Sequence, residues 1–137
     1  MYPEEIVAPM RQELVDAGFT ELKSAADVDE AVGKGGTALF VVNSVCGCAA
    51  GMARPGVRLA LEHADKKPDH LFTVFAGNDG EATDAVRSTF TGYPPSSPCM
   101  GLLKDGQLVS MVQRMDIEGF SAQDVAAKLV DAFNDNC

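Results

Sequence analysis

The chain has 137 residues, 46% of them hydrophobic and 23% charged, the balance of an ordinary globular protein that can bury a core. Its net charge of −9 argues against partners such as nucleic acid or an anionic membrane surface. No apolar run approaches the roughly 20 residues that cross a bilayer, and the acidic N-terminus lacks the apolar core of a secretory signal. We therefore expect one domain, residues 1–137, in the cytoplasm, where paired cysteines are more often catalytic or metal-binding than structural.

Apolar periodicity, helix caps and chain breakers predict the elements in chain order. They are a helix at 3–17, a short strand at 19–23, a helix from a capping-box-like Ser24 to 32, a strand at 38–42, a helix at 49–64, a strand at 70–76, a helix at 81–90, hairpin strands at 99–103 and 107–113, and a last helix capped by Ser121. The glycine cluster at 33–36 lacks the order of a phosphate-binding loop and predicts a turn. This order favours an α/β fold with a mixed sheet covered by helices on both faces.

A Cys-Gly-Cys sequence stands between the strand at 38–42 and the helix at 49–64. The first N–H groups of a helix have no partners within it, and the helix dipole stabilises a thiolate there, so its pKa falls. Thiol–disulfide exchange requires such a thiolate as the attacking group. Because Cys46 is nearest the strand end and solvent, we assign it as the nucleophile and Cys48 as the resolving thiol.

A disulfide between Cys46 and Cys48 would close a small ring, and Gly47 supplies the backbone freedom that this ring requires. Residual strain would raise the reduction potential above that of thioredoxin, about −270 mV, toward the roughly −180 mV of disulfide isomerase. The spacing therefore favours thiol exchange or isomerase chemistry over strong reduction.

Two alternatives remain open at this point. The thiols of Cys46 and Cys48 could pack as structural cysteines, or bind a soft metal such as Cu(I) or zinc, although zinc prefers four ligands and no second close cysteine pair is present. We expect no resident metal. Arg54 and Arg58 lie four residues apart and favour a solvated helix face, with docking of an anion or thiol conjugate as the alternative.

The strand, the dicysteine helix, a later loop proline and the terminal hairpin together resemble a thioredoxin fold. Pro98 stands where that fold has a cis proline beside the active cysteines, and Pro55 resembles the proline that kinks its active-site helix. Further segments, in their order and spacing, resemble the bacilliredoxin family over nearly the whole chain: NSVCGCAAG, ARPGVRLA, TVFAGND, EATDAVRSTFTGYPPSSP, LLKDGQLV and DIEGFSAQDVA.

The resemblance implies a thioredoxin-like three-layer sandwich with a mixed central sheet of four or five strands. It also implies a cytosolic thiol–disulfide oxidoreductase that removes bacillithiol from mixed disulfides on client proteins, with disulfide isomerase activity as a related possibility. Such an enzyme binds no cofactor and uses a low-molecular-weight thiol as its co-substrate. At the loop we expect a cis Ser97–Pro98 bond that turns the Ser97 backbone toward the substrate.

Two further cysteines lie outside the Cys-Gly-Cys sequence. Cys99 departs from the family, in which a small hydroxyl residue is expected after the loop proline, and this additional thiol leaves open either a side reaction or a third partner for Cys46. Cys137 at the terminus is either an adventitious thiol or a third redox cysteine.

Overall fold

The computed structural model describes residues 1–137. Its elements are α1 (Glu4–Asp16), β1 (Thr20–Glu21), α2 (Ala25–Gly33), β2 (Thr37–Asn43), a π-helical turn (Ala49–Ala53) that continues into α3 (Arg54–His63), β3 (His70–Phe75), α4 (Gly80–Thr89), β4 (Cys99–Lys104), β5 (Gln107–Val112), a 3₁₀ turn (Arg114–Asp116) and α5 (Ala122–Asn136). Every predicted element is present, and most boundaries move by one or two residues. None of the helices combines the length and the apolar content that a membrane crossing requires.

The five strands form one mixed sheet in the order β1-β3-β2-β4-β5. Strands β1, β3 and β2 are parallel, whereas β4 is antiparallel to both β2 and β5. The predicted strand at 19–23 is shorter than expected, because only Thr20 and Glu21 pair with β3 at this edge of the sheet. The predicted α/β class with a mixed sheet is confirmed.

All seven residues of β2 are buried because helices cover both faces of the central strand. Successive side chains of a strand point to opposite faces. Leu39 and Val41 therefore belong to the core beneath α3 and α5, while Phe40 and Val42 belong to the core beneath α2 and α4. The same alternation separates the side chains of β4, and it determines which cysteine side chains share a face of the sheet.

Local signals fix the ends of several elements. Ser121 begins α5 with a complete capping box, in which its hydroxyl accepts from the N–H of Asp124 at 3.1 Å and the Asp124 carboxylate accepts from the N–H of Ser121 at 3.1 Å. Ser24 caps α2 in the same way, but the Asp27 carboxylate reaches back to the N–H of Lys23 instead of Ser24.

Close packing of α3 against α5 holds the dicysteine helix in place. A Cβ at Gly56 would lie 2.7 Å from the side chain of Val125 and 3.1 Å from the carbonyl oxygen of Ala122. Only glycine therefore permits this approach of the two helices. The contact fixes α3, and with it the turn that carries the cysteines, against the core.

Candidate active site

Cys46 and Cys48 lie beyond the carboxyl end of β2, where the chain turns into the helix that leads to α3. The Cys46 carbonyl accepts hydrogen bonds from the N–H groups of Ala49 at 3.0 Å and Ala50 at 3.2 Å, so Cys46 is the first residue bound into the helix. Cys46 is half-buried, and Cys48 is only 8% exposed. The predicted placement of the dicysteine at a helix N-terminus is confirmed.

The pKa values of the two thiols move in opposite directions. Burial alone would raise the pKa of Cys46, but hydrogen bonds from the Cys48 thiol, the Ala49 N–H, the Ser44 hydroxyl and the Cys48 N–H outweigh it and lower that pKa. For Cys48, burial, the hydrogen bond to Cys46 and the negative charge on Cys46 all raise the pKa. Cys46 is therefore the first thiol to ionise, and Cys48 stays protonated beside it.

Arg54 is buried at the base of this site. Its Nε donates to the Glu13 carboxylate at 2.9 Å, and its Nη1 donates to the Ser44 carbonyl at 2.8 Å and to Asn43 Oδ1 at 3.0 Å. The prediction of a solvated face is wrong for Arg54, which is 2% exposed, while Arg58 is exposed. A charged side chain is buried where partners satisfy it, and these partners come from α1 and the end of β2.

A chain of hydrogen bonds connects Arg54 to the nucleophile. The Ser44 N–H donates to Asn43 Oδ1 at 2.9 Å, and the Cys46 N–H donates to Ser44 Oγ at 3.2 Å. The Asn43 amide also donates to the Met10 carbonyl at 3.1 Å, which ties the strand end to α1. These bonds fix the turn between β2 and the helix, and they hold the Ser44 hydroxyl beside the Cys46 sulfur.

The helix widens one turn after the cysteines. The N–H of Arg54 donates to the carbonyl of Ala49, five residues earlier, which makes residues Ala49–Ala53 a π-helical turn. Pro55 follows at once; it has no N–H, and its ring crowds the carbonyl four residues before it. Distortion of the helix near Pro55, which the thioredoxin resemblance implies, is therefore present as a widened turn, a feature that is frequent at functional sites.

The loop before β4 lies at the same end of β2 as the two cysteines. The Ser97–Pro98 peptide bond has the expected cis geometry. Cys99 pairs with Val42 in the β2–β4 register, so Pro98 lies next to the end of β2, the strand that leads to the cysteines. Pro98 is buried and Ser97 is half-buried.

Arg114 is a site residue that the sequence analysis missed. It opens the 3₁₀ turn after β5, and its Nη1 donates to the Ser97 carbonyl at 3.3 Å while its Nε donates to the Glu118 carboxylate at 3.0 Å. Its positive charge opposes the burial and the negative charge on Cys46 that raise the Cys48 pKa. The i,i+4 spacing of Arg114 and Glu118 was visible in the sequence, but nothing there indicated that Arg114 binds the loop at Ser97.

Neither of the two other cysteines is brought to Cys46. Cys99 belongs to the core beneath α2 and α4, whereas Cys46 and Cys48 pack with the core beneath α3 and α5. The side chains of Cys99 and Cys46 therefore pack on opposite faces of the sheet, which argues against Cys99 as a third partner within the chain. Cys137 interacts with Thr37, at the start of β2, so the length of the strand, roughly 20 Å, separates it from the site.

We expect Cys99 to be inert in the folded protein. Burial raises the pKa of Cys99 to about 11, although the Arg87 charge and a hydrogen bond with Ser96 oppose this. Iodoacetamide at pH 8 should therefore modify exposed Cys137 and spare Cys99 until denaturant unfolds the chain, as peptide mass spectrometry can measure. Modification of Cys99 in the native protein at the rate of Cys137 would contradict its burial.

The metal-binding alternative rests on the two thiols alone. No group of three or more His, Cys, Asp or Glu side chains is arranged to hold a metal ion. A zinc site, which prefers four ligands, would need further ligands from outside this chain. The alternative therefore narrows to a soft ion held by the thiolates of Cys46 and Cys48.

Comparison with known proteins places the whole chain in one family. The family model described as disulphide isomerase matches residues 2–137. A bacilliredoxin of Koribacter versatilis is 56% identical over 138 residues, covering 100% of this chain and 94% of its own length. A bacilliredoxin of Bacillus cereus is 52% identical over 136 residues, covering 99% of this chain and 94% of its own.

Solved structures confirm the fold at low sequence identity. Fasciola hepatica thioredoxin superposes with a TM-score of 0.60 at 18% identity, covering 87% of this chain and 100% of its own. Another protein of solved structure with a thioredoxin fold gives a TM-score of 0.63 at 15% identity, covering 82% of this chain and 90% of its own. The fold is therefore thioredoxin-like, as the sequence predicted.

Proposed function

Because the chain belongs to the bacilliredoxin family, we propose that it is a thiol–disulfide oxidoreductase that removes a low-molecular-weight thiol from mixed disulfides on client proteins. The observation that carries this proposal is the arrangement of the two thiols, with Cys46 half-buried at the start of a helix and Cys48 buried beside it. The lowered pKa of Cys46 and the raised pKa of Cys48 agree with this arrangement. Such a pair supplies an attacking thiolate, Cys46, that substrate can reach, and a protonated thiol, Cys48, that does not compete with it in the first step.

In the first step the Cys46 thiolate attacks the small thiol's sulfur in the mixed disulfide. The disulfide bond to the client breaks, the client leaves as a thiolate that takes up a proton, and the small thiol becomes attached to Cys46. In the second step Cys48 loses its proton to solvent and attacks the Cys46 sulfur, so that the small thiol leaves. The enzyme dithiol thus gives two electrons to the mixed disulfide and becomes a Cys46–Cys48 disulfide. Two further equivalents of small thiol restore the dithiol: the first forms a mixed disulfide with Cys46 and releases Cys48, and the second attacks the small thiol's sulfur, releases Cys46 and leaves as the small-thiol disulfide.

The bacilliredoxin relatives favour bacillithiol as the small thiol. The same two cysteines would support disulfide isomerase activity, if another client thiol rather than Cys48 resolved a client–Cys46 disulfide. Cys48, at 8% exposure, is less open to clients than Cys46, which suits a resolving role within the chain. Exchange with small thiols is therefore the principal activity that we propose.

Trapping of the first intermediate tests the proposal. A Cys48→Ser variant mixed with a client protein that carries bacillithiol should retain one bacillithiol per chain on Cys46, as intact mass and peptide mapping can show. Cys46→Ser is the matched control and should retain none. A client protein joined to Cys46 in place of bacillithiol would show attack at the wrong sulfur and would contradict the proposed order of steps.

Metal content separates this function from the alternative. Reduced protein purified without chelator should keep Cys46 open to alkylation and should hold no stoichiometric metal. Copper or zinc bound in a one-to-one ratio, and protecting both thiols from alkylation, would instead favour a metal-binding module.

We expect the reduction potential of the Cys46–Cys48 disulfide to lie above the roughly −270 mV of thioredoxin. Hydrogen bonds that lower the Cys46 pKa stabilise the thiolate, and with it the reduced form. A rise of about 90 mV corresponds to about 4 kcal/mol for a two-electron couple. Equilibration with glutathione buffers, followed by alkylation and mass spectrometry, measures the potential, and a value at or below that of thioredoxin would contradict the expectation.

A further inference from the structure

The Arg114 guanidinium keeps donors free beside the cis-proline loop. Its Nε binds the Glu118 carboxylate at 3.0 Å and its Nη1 binds the Ser97 carbonyl at 3.3 Å, whereas its Nη2 donates no hydrogen bond within the protein. The side chain is 43% exposed. The guanidinium is therefore held in place at Nε and Nη1, while the N–H groups of Nη2 remain free to bind a solute.

The same contact changes the expected role of Ser97. A client peptide that paired with this loop as a strand would need the Ser97 carbonyl as an acceptor. In the structure, Arg114 already donates to one lone pair of that carbonyl. A peptide that pairs with this loop would therefore share the Ser97 carbonyl with a cation.

A second guanidinium adds to the positive charge of the loop. Arg87 Nη2 donates to the Ser96 carbonyl at 3.2 Å, so Arg87 and Arg114 bind the carbonyls of adjacent residues. Two guanidinium groups on adjacent carbonyls, one of them paired with Glu118, stand out in a chain whose net charge is −9. Guanidinium groups bind carboxylates through short, charge-assisted hydrogen bonds, often with two donors at once.

We infer that Arg114 is a specificity-determining residue that binds a carboxylate of the low-molecular-weight thiol while the sulfur of that thiol lies at Cys46. The inference rests on the proposed function and adds the substrate class, a small thiol that carries a carboxylate. Docking the small thiol directs the Cys46 thiolate to its sulfur, so that the new bond joins Cys46 to the small thiol. The bond to the client then breaks, and the client is the leaving thiolate.

Exchange rates with small symmetric disulfides of different charge test this inference. The assay uses the full chain with Cys48→Ser, and the probes are anionic 3,3′-dithiodipropionate, neutral 2-hydroxyethyl disulfide and cationic cystamine. Because a hydrogen bond to a charged group contributes about 1.5–3 kcal/mol, the ratio of the anionic to the neutral rate should fall at least about tenfold in Arg114→Gln. Arg58→Gln, which removes an exposed charge elsewhere on α3, should keep the parent ratio.

Glu118 supplies a test with the opposite sign. Its carboxylate competes with the substrate for Arg114, so Glu118→Gln should raise the ratio of the anionic to the neutral rate. Arg114→Lys keeps the charge without the paired donors and should give an intermediate ratio.

Three results would overturn the inference, and they have different causes. An unchanged ratio in Arg114→Gln would show that Arg114 does not bind the substrate. A proportional loss with all three probes, together with a higher Cys46 pKa in the alkylation profile, would show that Arg114 acts on the thiol alone. Failure of Cys46 to exchange with any probe in the parent chain would instead contradict the proposed function itself.

Discussion

Serine in place of Cys46 should abolish exchange, whereas serine in place of Cys48 should permit one turnover and then stop. Cys46 has the lowered pKa and the access to solvent that the first step requires, whereas the neighbouring Cys48 thiol is buried with a raised pKa and Cys99 packs in the core on the other face of the sheet. Loss of the nucleophile should reduce the rate of client release more than roughly a thousandfold. Quenched-flow measurement should find about one client released per Cys48→Ser chain and none from Cys46→Ser.

The hydrogen bond between the two thiols gives this prediction a matched control. The Cys48 thiol is the foremost of the hydrogen bonds that lower the Cys46 pKa. Cys48→Ala removes the donor and should raise that pKa, so that Cys46 is alkylated about fivefold more slowly at pH 7 if the bond contributes about 1 kcal/mol. Cys48→Ser retains a donor and should react faster than Cys48→Ala. Equal pH profiles of the two variants would show that the hydrogen bond does not set the Cys46 pKa.

Methionine in place of Arg54 should destabilise the protein by about 3 kcal/mol, since one change removes several charge-assisted hydrogen bonds inside the fold. Arg54 joins Glu13 of α1 to the end of β2, and its side chain is 3% exposed. Asn43 Oδ1 and the Ser44 carbonyl, both near Cys46, would each lose a donor. Urea unfolding followed by circular dichroism measures the change in the free energy of unfolding.

Arg58 provides the control for the Arg54 prediction. It lies one helical turn further along α3 and is exposed, so Arg58→Met should change the free energy of unfolding by no more than about 0.5 kcal/mol. A similar small change in Arg54→Met would mean that its hydrogen bonds are replaced by water at little cost. The burial of this arginine would then be incidental to the stability of the site.

The order of elements and the position of the dicysteine were both predictable from the sequence, because their causes are local. An unbroken apolar run predicts a strand covered on both faces, and β2 is such a strand. Ser24 and Ser121 mark helix starts through bonds to residues three positions along. Asp105 and Gly106 both adopt positive φ, as their hairpin turn requires. The Cys-Gly-Cys sequence begins only two residues after β2, so its place at a helix start needed no tertiary information.

Tertiary structure alone decided what surrounds the dicysteine. Whether an arginine is buried depends on the partners that other elements supply, and Glu13, Asn43 and Ser44 come together around Arg54 only after folding. Arg114 reaches the loop at Ser97 because β5 pairs with β4 and ends at the same edge of the sheet. The alternation of side chains along β4 then places Cys99 on the opposite face from Cys46, a separation that depends on the register of β4 and on which helices cover each face.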